Sequence, residues 1–198
     1  MENPKREIAT WTRWVHIYLS MFSFTALLFF AVTGITLNHT SWIDGQQKVE
    51  QVNGNLSVYW VHVDSAQVNE LMAVEFLRNT YQIKAPLSDF VTEDEECSVS
   101  FKGPGYCAVG FIDRATGHYE LTITRSGLIA IMNDLHKGRD TGTTWLWLID
   151  VSAVLMILVS LTGFLMIFFL KKKRLSGLLI AGLGAVIIVV AYSLLDNS

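Results

Sequence analysis

Three long runs without a charged residue constrain this chain more than any other feature. No Asp, Glu, Lys or Arg lies between Arg13 and Asp44, and none lies within residues 151–170 or 175–195. About 20 apolar residues, each rising about 1.5 Å in a helix, cross a hydrocarbon core of about 30 Å. The sequence therefore predicts three membrane-spanning helices, at residues 14–37, 146–170 and 175–195.

The first run has an alternative interpretation as a cleaved signal peptide, because Lys5, Arg6 and Arg13 form a basic leading segment. A signal peptide, however, has an apolar stretch of only about 7–15 residues, followed by a small-x-small cleavage site. This run is longer and leads into residues 36–40, which offer no such site. We therefore expect an uncleaved membrane anchor.

Charge sign predicts the orientation. Residues 38–143 contain eight basic and fourteen acidic side chains, a net charge of -6, whereas residues 5–13 and the loop 171–174 are basic. By the positive-inside rule, residues 1–13 and 171–174 face the cytoplasm. Residues 38–143 and the tail 196–198 are then exported, and the chain is a multi-pass membrane protein. The basic residues are explained by this topology, so nucleic acid is not an expected partner.

Residues 38–143 have the pattern of a small α+β domain inserted between the first two membrane helices. Asp64–Gln67 resembles a capping box, and the apolar residues that follow repeat at helical spacing, which predicts a helix ending near Tyr81. Residues 97–101, 107–111 and 119–123 alternate with period two and are separated by Gly-containing turns, which predicts an antiparallel meander. A last short helix, capped by Ser126, is expected to end at Lys137 and Gly138.

The two cysteines, Cys97 and Cys107, fall on facing strands of the predicted hairpin, and both belong to the set of residues expected to face inward. If they are opposite each other, their separation suits a cross-strand disulfide, which an exported compartment permits. Two alternatives are a pair of buried thiols and a register shifted by the turn. A redox-active pair is disfavoured because there is no C-x-x-C spacing.

Three of the five histidines are predicted to lie at ends of helices. His16 is near the cytoplasmic start of the first span and His39 is just beyond its outer end, so about 35 Å of helix separates them and they cannot share one metal centre. His39 and His136 flank the exported domain, and both reach the outer membrane surface, where they can meet. His62 and His118 are expected to be surface or hydrogen-bonded polar residues.

Ionisable groups at a membrane boundary are costly and point to a function. Two facing imidazoles, from His39 and His136, would supply the axial ligands of a b-type haem. Gly34 and Gly163 would allow a macrocycle or a neighbouring helix to approach the backbone closely. The alternative is that the histidines, like the surrounding tryptophans, simply suit the membrane interface.

Three stretches carry a family resemblance: Arg13–His16 with Thr33-Gly34 and Leu37–His39; Asp134–Gly142; and Trp147–Gly163. Together they resemble the PepSY-associated transmembrane family in its short three-helix form, and the predicted exported domain looks like a PepSY domain. Larger relatives in that family include inner-membrane haem proteins that reduce ferric siderophores in the periplasm.

The resemblance implies that His39 and His136 match the ligands of an outer haem b and that His16 matches the family's histidine near the start of the first helix. The chain departs from a two-haem protein because His16 has no second histidine on the cytoplasmic side. An inner haem would need a ligand from another chain or a non-histidine ligand, or would be absent.

Small residues repeat every fourth position in the third span, at Gly177, Ala181 and Ala185, with Gly182 and Gly184 beside them. This face permits a homodimer or a partner membrane subunit, although packing within the chain explains the same residues.

Two functions follow. The first is a haem protein, a haem-dependent oxidoreductase, that transfers electrons to a periplasmic ferric chelate. The second is a membrane-tethered binding or accessory subunit in which His39 and His136 only cap helix ends. No arrangement typical of hydrolytic catalysis is present.

Overall fold

The computed structural model describes residues 4–42, 45–62, 68–170 and 172–195. The chain divides into two compact units. The membrane-helix unit comprises residues 1–28 and 150–198, and the sheet unit comprises residues 29–149.

Three long helices confirm the prediction that each uncharged run is helical. They are α1 (Pro4–Asn38), α4 (Thr143–Phe169) and α5 (Arg174–Leu195), and each is long and apolar enough to cross a membrane. In their most apolar windows 6%, 6% and none of the residues, respectively, are buried inside the protein. Apolar side chains left this exposed require a lipid or protein neighbour rather than water.

The sheet unit is built on five antiparallel strands in the order β1-β5-β4-β3-β2. The predicted meander is confirmed as β3 (Glu96–Gly103), β4 (Tyr106–Asp113) and β5 (His118–Arg125). Two further strands, β1 (Lys48–Asn55) and β2 (Leu87–Thr92), form the edges of the sheet. Two single-turn 3-10 helices, Thr40–Trp42 and Val58–Trp60, precede and follow β1.

Helix α2 (Glu70–Tyr81) covers one face of the sheet and ends where the sequence predicts. Its N-cap is Asn69, whose side chain accepts a hydrogen bond from the Met72 amide; the proposed capping box at Asp64–Gln67 lies outside the described residues. Ala73, Val74 and Leu77 of α2 join the apolar core of the sheet. Each large side chain buried there contributes about 1.5–3 kcal/mol.

The observed register rules out the proposed disulfide. Cys97 is opposite Ile112 and Cys107 is opposite Lys102, so the two cysteines lie five positions apart along the hairpin. Both are free thiols. The cause is the tight turn at Pro104-Gly105, which pairs Gly103 with Tyr106 and sets every later pair.

The same register corrects the expectation that both cysteines face inward. On β3 the buried residues include Cys97 and Val99, but on β4 they are Ala108, Gly110 and Ile112, so Cys107 is on the opposite face. Gly110 is required here, because a Cβ atom would approach side-chain atoms of Leu121 and Val99 to 3.1 Å. Small residues on β4 thus make room for large ones on β3 and β5.

A buried arginine ties loops to the end of the sheet. Arg114 is only 7% exposed, and its guanidinium donates to the carbonyl oxygens of Val61, His62, Glu93 and Asp94 at 2.7–3.1 Å. Among the residues that the structure describes, four backbone acceptors compensate the buried charge and no carboxylate pairs with it.

Helix α3 (Leu128–Lys137) follows the sheet. Its N-cap is Gly127 rather than Ser126, and no side chain caps it; a side chain at position 127 would collide with Gln46. Gly138 ends the helix in the left-handed conformation, at φ 67°, as the sequence predicts.

Candidate functional site

His136, in the last turn of α3, packs against α1. Its Nδ1 atom lies 2.5 Å from Thr33 Oγ1, and its ring lies edge-on to Phe30 with centroids 5.1 Å apart. Gly34 faces the same ring, since a Cβ at this position would lie 3.9 Å from His136 Cε1. One turn of α1 therefore supplies a hydrogen bond, an aromatic edge and an open backbone surface to a single imidazole.

The Thr33 hydroxyl determines which nitrogen of His136 carries the proton. Thr33 Oγ1 donates its single proton to the Phe29 carbonyl oxygen at 2.6 Å, so it can only accept from the imidazole. Nδ1 is therefore protonated and Nε2 holds a lone pair. Burial, and next the charge of Lys137, lower the pKa of His136, which keeps the ring neutral near pH 7.

The membrane-helix unit repeats this arrangement at His16. Its Nδ1 lies 2.9 Å from Thr162 Oγ1, and that hydroxyl donates to the Leu158 carbonyl oxygen at 2.8 Å. Gly163 faces the ring, because a Cβ there would lie 3.1 Å from His16 Cε1. The proton on Nδ1 again leaves the lone pair on Nε2.

His39 lies in a different setting. Its Nδ1 donates to the Ile35 carbonyl oxygen at 2.9 Å, and its exposed ring stacks on Trp42 with centroids 4.5 Å apart. The bond to a backbone carbonyl fixes the same tautomer, with Nε2 unprotonated. His39 and His136 thus contact different residues of α1 and the turn that follows it, and no contact joins their rings.

Gly34 and Gly163, predicted as points of close approach, each face a histidine. Thr33 and Thr162 were missed, although the sequence carries a signal for them: a Thr-Gly pair occurs in each of two spans. A neighbouring contact reinforces the first pair, since Thr36 Oγ1 donates to Asn133 Oδ1 at 2.6 Å.

The imidazole Nε2 atoms of His16, His39 and His136 have no hydrogen-bond partner within the part of the chain that the structure describes. They are the atoms with which histidine commonly binds iron. A hydrogen bond from Nδ1–H to a second group makes the imidazole a more basic ligand. No group of three or more His, Cys, Asp or Glu side chains suited to a metal ion occurs among the described residues. A haem iron differs in needing only two such ligands from the protein.

The small-residue face of α5 is only partly used within the chain. A Cβ on Gly177 would approach Ile167 of α4 to 2.3 Å, so the two helices are in contact there. A Cβ added to Gly182 or to Gly184 would meet no described atom within 4 Å, apart from the backbone of α5 itself. Packing within the chain therefore explains Gly177 but not the two later glycines.

Helices of this length and hydropathy, joined to a five-stranded sheet, agree with one known family. Residues 10–195 match the PepSY_TM-like family. The chain belongs to this PepSY-associated transmembrane family. Comparisons with curated proteins and with solved structures found no match. Membership and the three spans indicate a multi-pass membrane protein with a sheet domain.

Proposed function

We propose that this PepSY_TM-like chain is a b-type haem protein of the bacterial inner membrane that passes electrons to a ferric chelate in the periplasm. In this proposal residues 38–143 are periplasmic and the Lys-rich loop after α4 is cytoplasmic. The proposal rests on one observation above all: each of three histidines near predicted membrane boundaries has Nδ1–H engaged and Nε2 free.

The donor set fits a haem. His39 and His136 belong to the same unit and would hold the iron, and Phe30 and Gly34 contact the His136 ring. Bound haem would supply the one-electron chemistry. Thr33 would keep His136 in the ligating tautomer and resist rotation of its ring.

His16 is a weaker candidate. It has the same tautomer and glycine contact, but it is the sole histidine of residues 1–28 and 150–198. We therefore propose one haem per chain; a second would require a ligand from a second copy or a partner subunit.

A second function has its own support. His39 donates to the carbonyl four residues earlier and so caps the C-terminal end of α1, and His136 joins α3 to α1. Both contacts are sufficient reasons for the histidines in a non-catalytic accessory subunit.

An absorption spectrum of the purified protein separates the two functions. We expect a dithionite-reduced sample from haem-sufficient cells to show a sharp b-type α band, which disappears in His39→Ala and in His136→Ala. His118→Ala is the matched control, because His118 is exposed and its ring bonds to the exposed Asn55, and it should keep the band. A colourless wild-type protein would refute the haem proposal and favour the accessory subunit.

The orientation is tested separately with a membrane-impermeant maleimide on spheroplasts. Lys84→Cys, at an exposed position between α2 and β2, should be labelled in intact spheroplasts. Lys172→Cys should be labelled only after lysis, and the wild type measures the background from Cys97 and Cys107. The reverse pattern would contradict the proposed topology.

A further inference from the structure

A cavity of about 410 Å³ lies in the sheet unit, on the face of the sheet opposite α2. Volumes of 300–1,000 Å³ are typical of small-molecule sites. Strands β3, β4 and β5, helix α3 and the segment after α3 supply most of its wall, which includes Lys102, Cys107, Asn133, Lys137 and Arg139.

The hairpin register builds one wall of this cavity. Lys102 pairs with Cys107, and Cys107 pairs with Thr124, so these three residues form a row across β3, β4 and β5. Helix α3 is fixed against the hairpin tip, where Ile131 packs on Gly105 and Asp134 accepts from the Gly105 amide at 2.9 Å. Both walls therefore belong to rigid elements.

Positive charge in the cavity is incompletely neutralised. Lys102, Lys137 and Arg139 line it, together with Asp134 and Asp140. Asp134 is engaged by the Gly105 amide, and Asp140 lies 3.9 Å from Arg139. Within the described ranges of the chain, neither Lys102 nor Lys137 has an ion-pair partner. Two ammonium groups are therefore available to an anionic ligand.

The cavity adjoins the His136 site through α3. Asn133 lines the cavity and also accepts from Thr36 on α1. Lys137 lines it too, and it directly follows His136 in α3. A ligand held by these residues would therefore sit beside the imidazole proposed to bind iron.

We propose that this cavity binds a soluble anion bearing two or more carboxylate or phosphate groups, held by Lys102, Lys137 and Arg139. The identity of the occupant rests on the proposed function: it is an anionic ferric chelate, whose iron(III) accepts one electron to become iron(II). A haem held at His136 would supply that electron, and no bond of the chelate need break.

Gallium(III) citrate tests the binding step, because gallium(III) has the charge of iron(III) but is not reduced under these conditions. Titration calorimetry on the full-length protein in neutral detergent should show saturable binding that weakens with added salt. Lys102→Gln and Lys137→Gln should each weaken it about tenfold. Lys102→Arg should restore most of the affinity lost in Lys102→Gln.

Lys84→Gln is the matched control, since it removes the same charge from an exposed position outside the cavity, and its affinity should equal that of the wild type. Equal effects of Lys84→Gln and Lys102→Gln would overturn the proposal, and so would absence of binding at millimolar gallium citrate. The proposal also fails if phosphatidylglycerol nanodiscs retain the wild type more strongly than Lys102→Gln while citrate binds neither, because the occupant is then a lipid headgroup.

The two proposals fail separately. A colourless protein that binds gallium citrate through Lys102 would remove the haem and keep the anion site. A haem-containing protein that ignores gallium citrate would keep the haem and remove the anion site.

Discussion

The two units each hold one histidine against a Thr-Gly pair, yet their surroundings differ. In the membrane-helix unit His16 is pressed against Gly163, with 3.1 Å between its Cε1 and a hypothetical Cβ, and there is no second histidine. In the sheet unit His136 has more room at Gly34, 3.9 Å by the same measure, and shares its unit with His39 and a cationic cavity.

This difference indicates that a histidine bonded to a threonine and packed on the next glycine has a different role in each unit. A histidine that bonds to a threonine across two helices and covers a glycine is already a good interhelical contact. Redox chemistry needs a second ligand and access for an acceptor as well, and the sheet unit alone has candidates for both. We therefore expect His16 to act in helix packing and His136 in cofactor binding.

Removing each histidine in turn tests this difference between the two units most directly. His136→Ala should lower the haem content of the purified protein more than about tenfold, because an axial ligand is lost. His16→Ala should leave the haem-to-protein ratio unchanged. The ratio is measured by the pyridine haemochrome assay against protein concentration, with recovery in detergent as a check on folding. A loss of haem in His16→Ala alone would reverse the two roles.

The threonines allow a finer test. Thr33→Val keeps the side-chain volume but removes the acceptor for His136 Nδ1–H, and should weaken haem binding about 10–100-fold. Thr162→Val should leave haem binding unchanged and reduce stability by about 0.6–2 kcal/mol, the range for interhelical hydrogen bonds in membranes. Haem titration of the haem-depleted protein and thermal unfolding in detergent measure the two effects. Thr33→Ser retains the acceptor and should behave as the wild type.

For the glycines, the larger effect is expected in the membrane-helix unit. Gly163→Ala places a methyl group 3.1 Å from His16 Cε1, closer than ordinary contact, so stability should fall by about 1 kcal/mol. Gly34→Ala meets His136 at 3.9 Å, an ordinary van der Waals distance, and should be tolerated. Midpoints of thermal unfolding for the two variants, each compared with the wild type, decide this point. Equal midpoints would mean that the two imidazoles are packed alike.

The smallest expected effect is a pH dependence of stability at His136. Its folded-state pKa is lowered by burial and by Lys137, so folding favours the neutral ring. That contribution is complete above the unfolded value of about 6.5 and is lost as the pH falls through 6.5 towards the folded value. Between pH 7.5 and 5.5 the midpoint temperature of thermal unfolding should fall further for the haem-depleted wild type than for His136→Gln. Parallel pH profiles would contradict this assignment.

Much of the fold was predictable because its signals are local. The three spans depend on composition over about 20 residues, and the central strands on strict alternation from Cys97 to Ile123. The edge strands were missed for the opposite reason: β1 is polar and mostly exposed, and β2 has only two half-buried positions. Edge strands face solvent and therefore carry a weak hydrophobic pattern.

The site was less predictable because it depends on long-range contacts. Gly34 and Gly163 were identified as points of close approach, but their histidine neighbours come from residues more than 100 positions away. Cys107 was misassigned because one tight turn decides which face each residue of β4 occupies. His39, His136 and His16 remain predictions as haem ligands.

The arginine that ties loops to the sheet has a consequence for acid tolerance. Arg114 binds four carbonyl oxygens, and neither a guanidinium nor a carbonyl changes its charge between pH 3 and pH 9. The nearby turn differs, since hydrogen bonds from Thr116 lower the pKa of Asp113, and that contribution is lost as the pH falls below the usual range for aspartate. In a compartment whose acidity follows the surrounding medium, such a clamp would hold these loops in place while carboxylate-based contacts weaken.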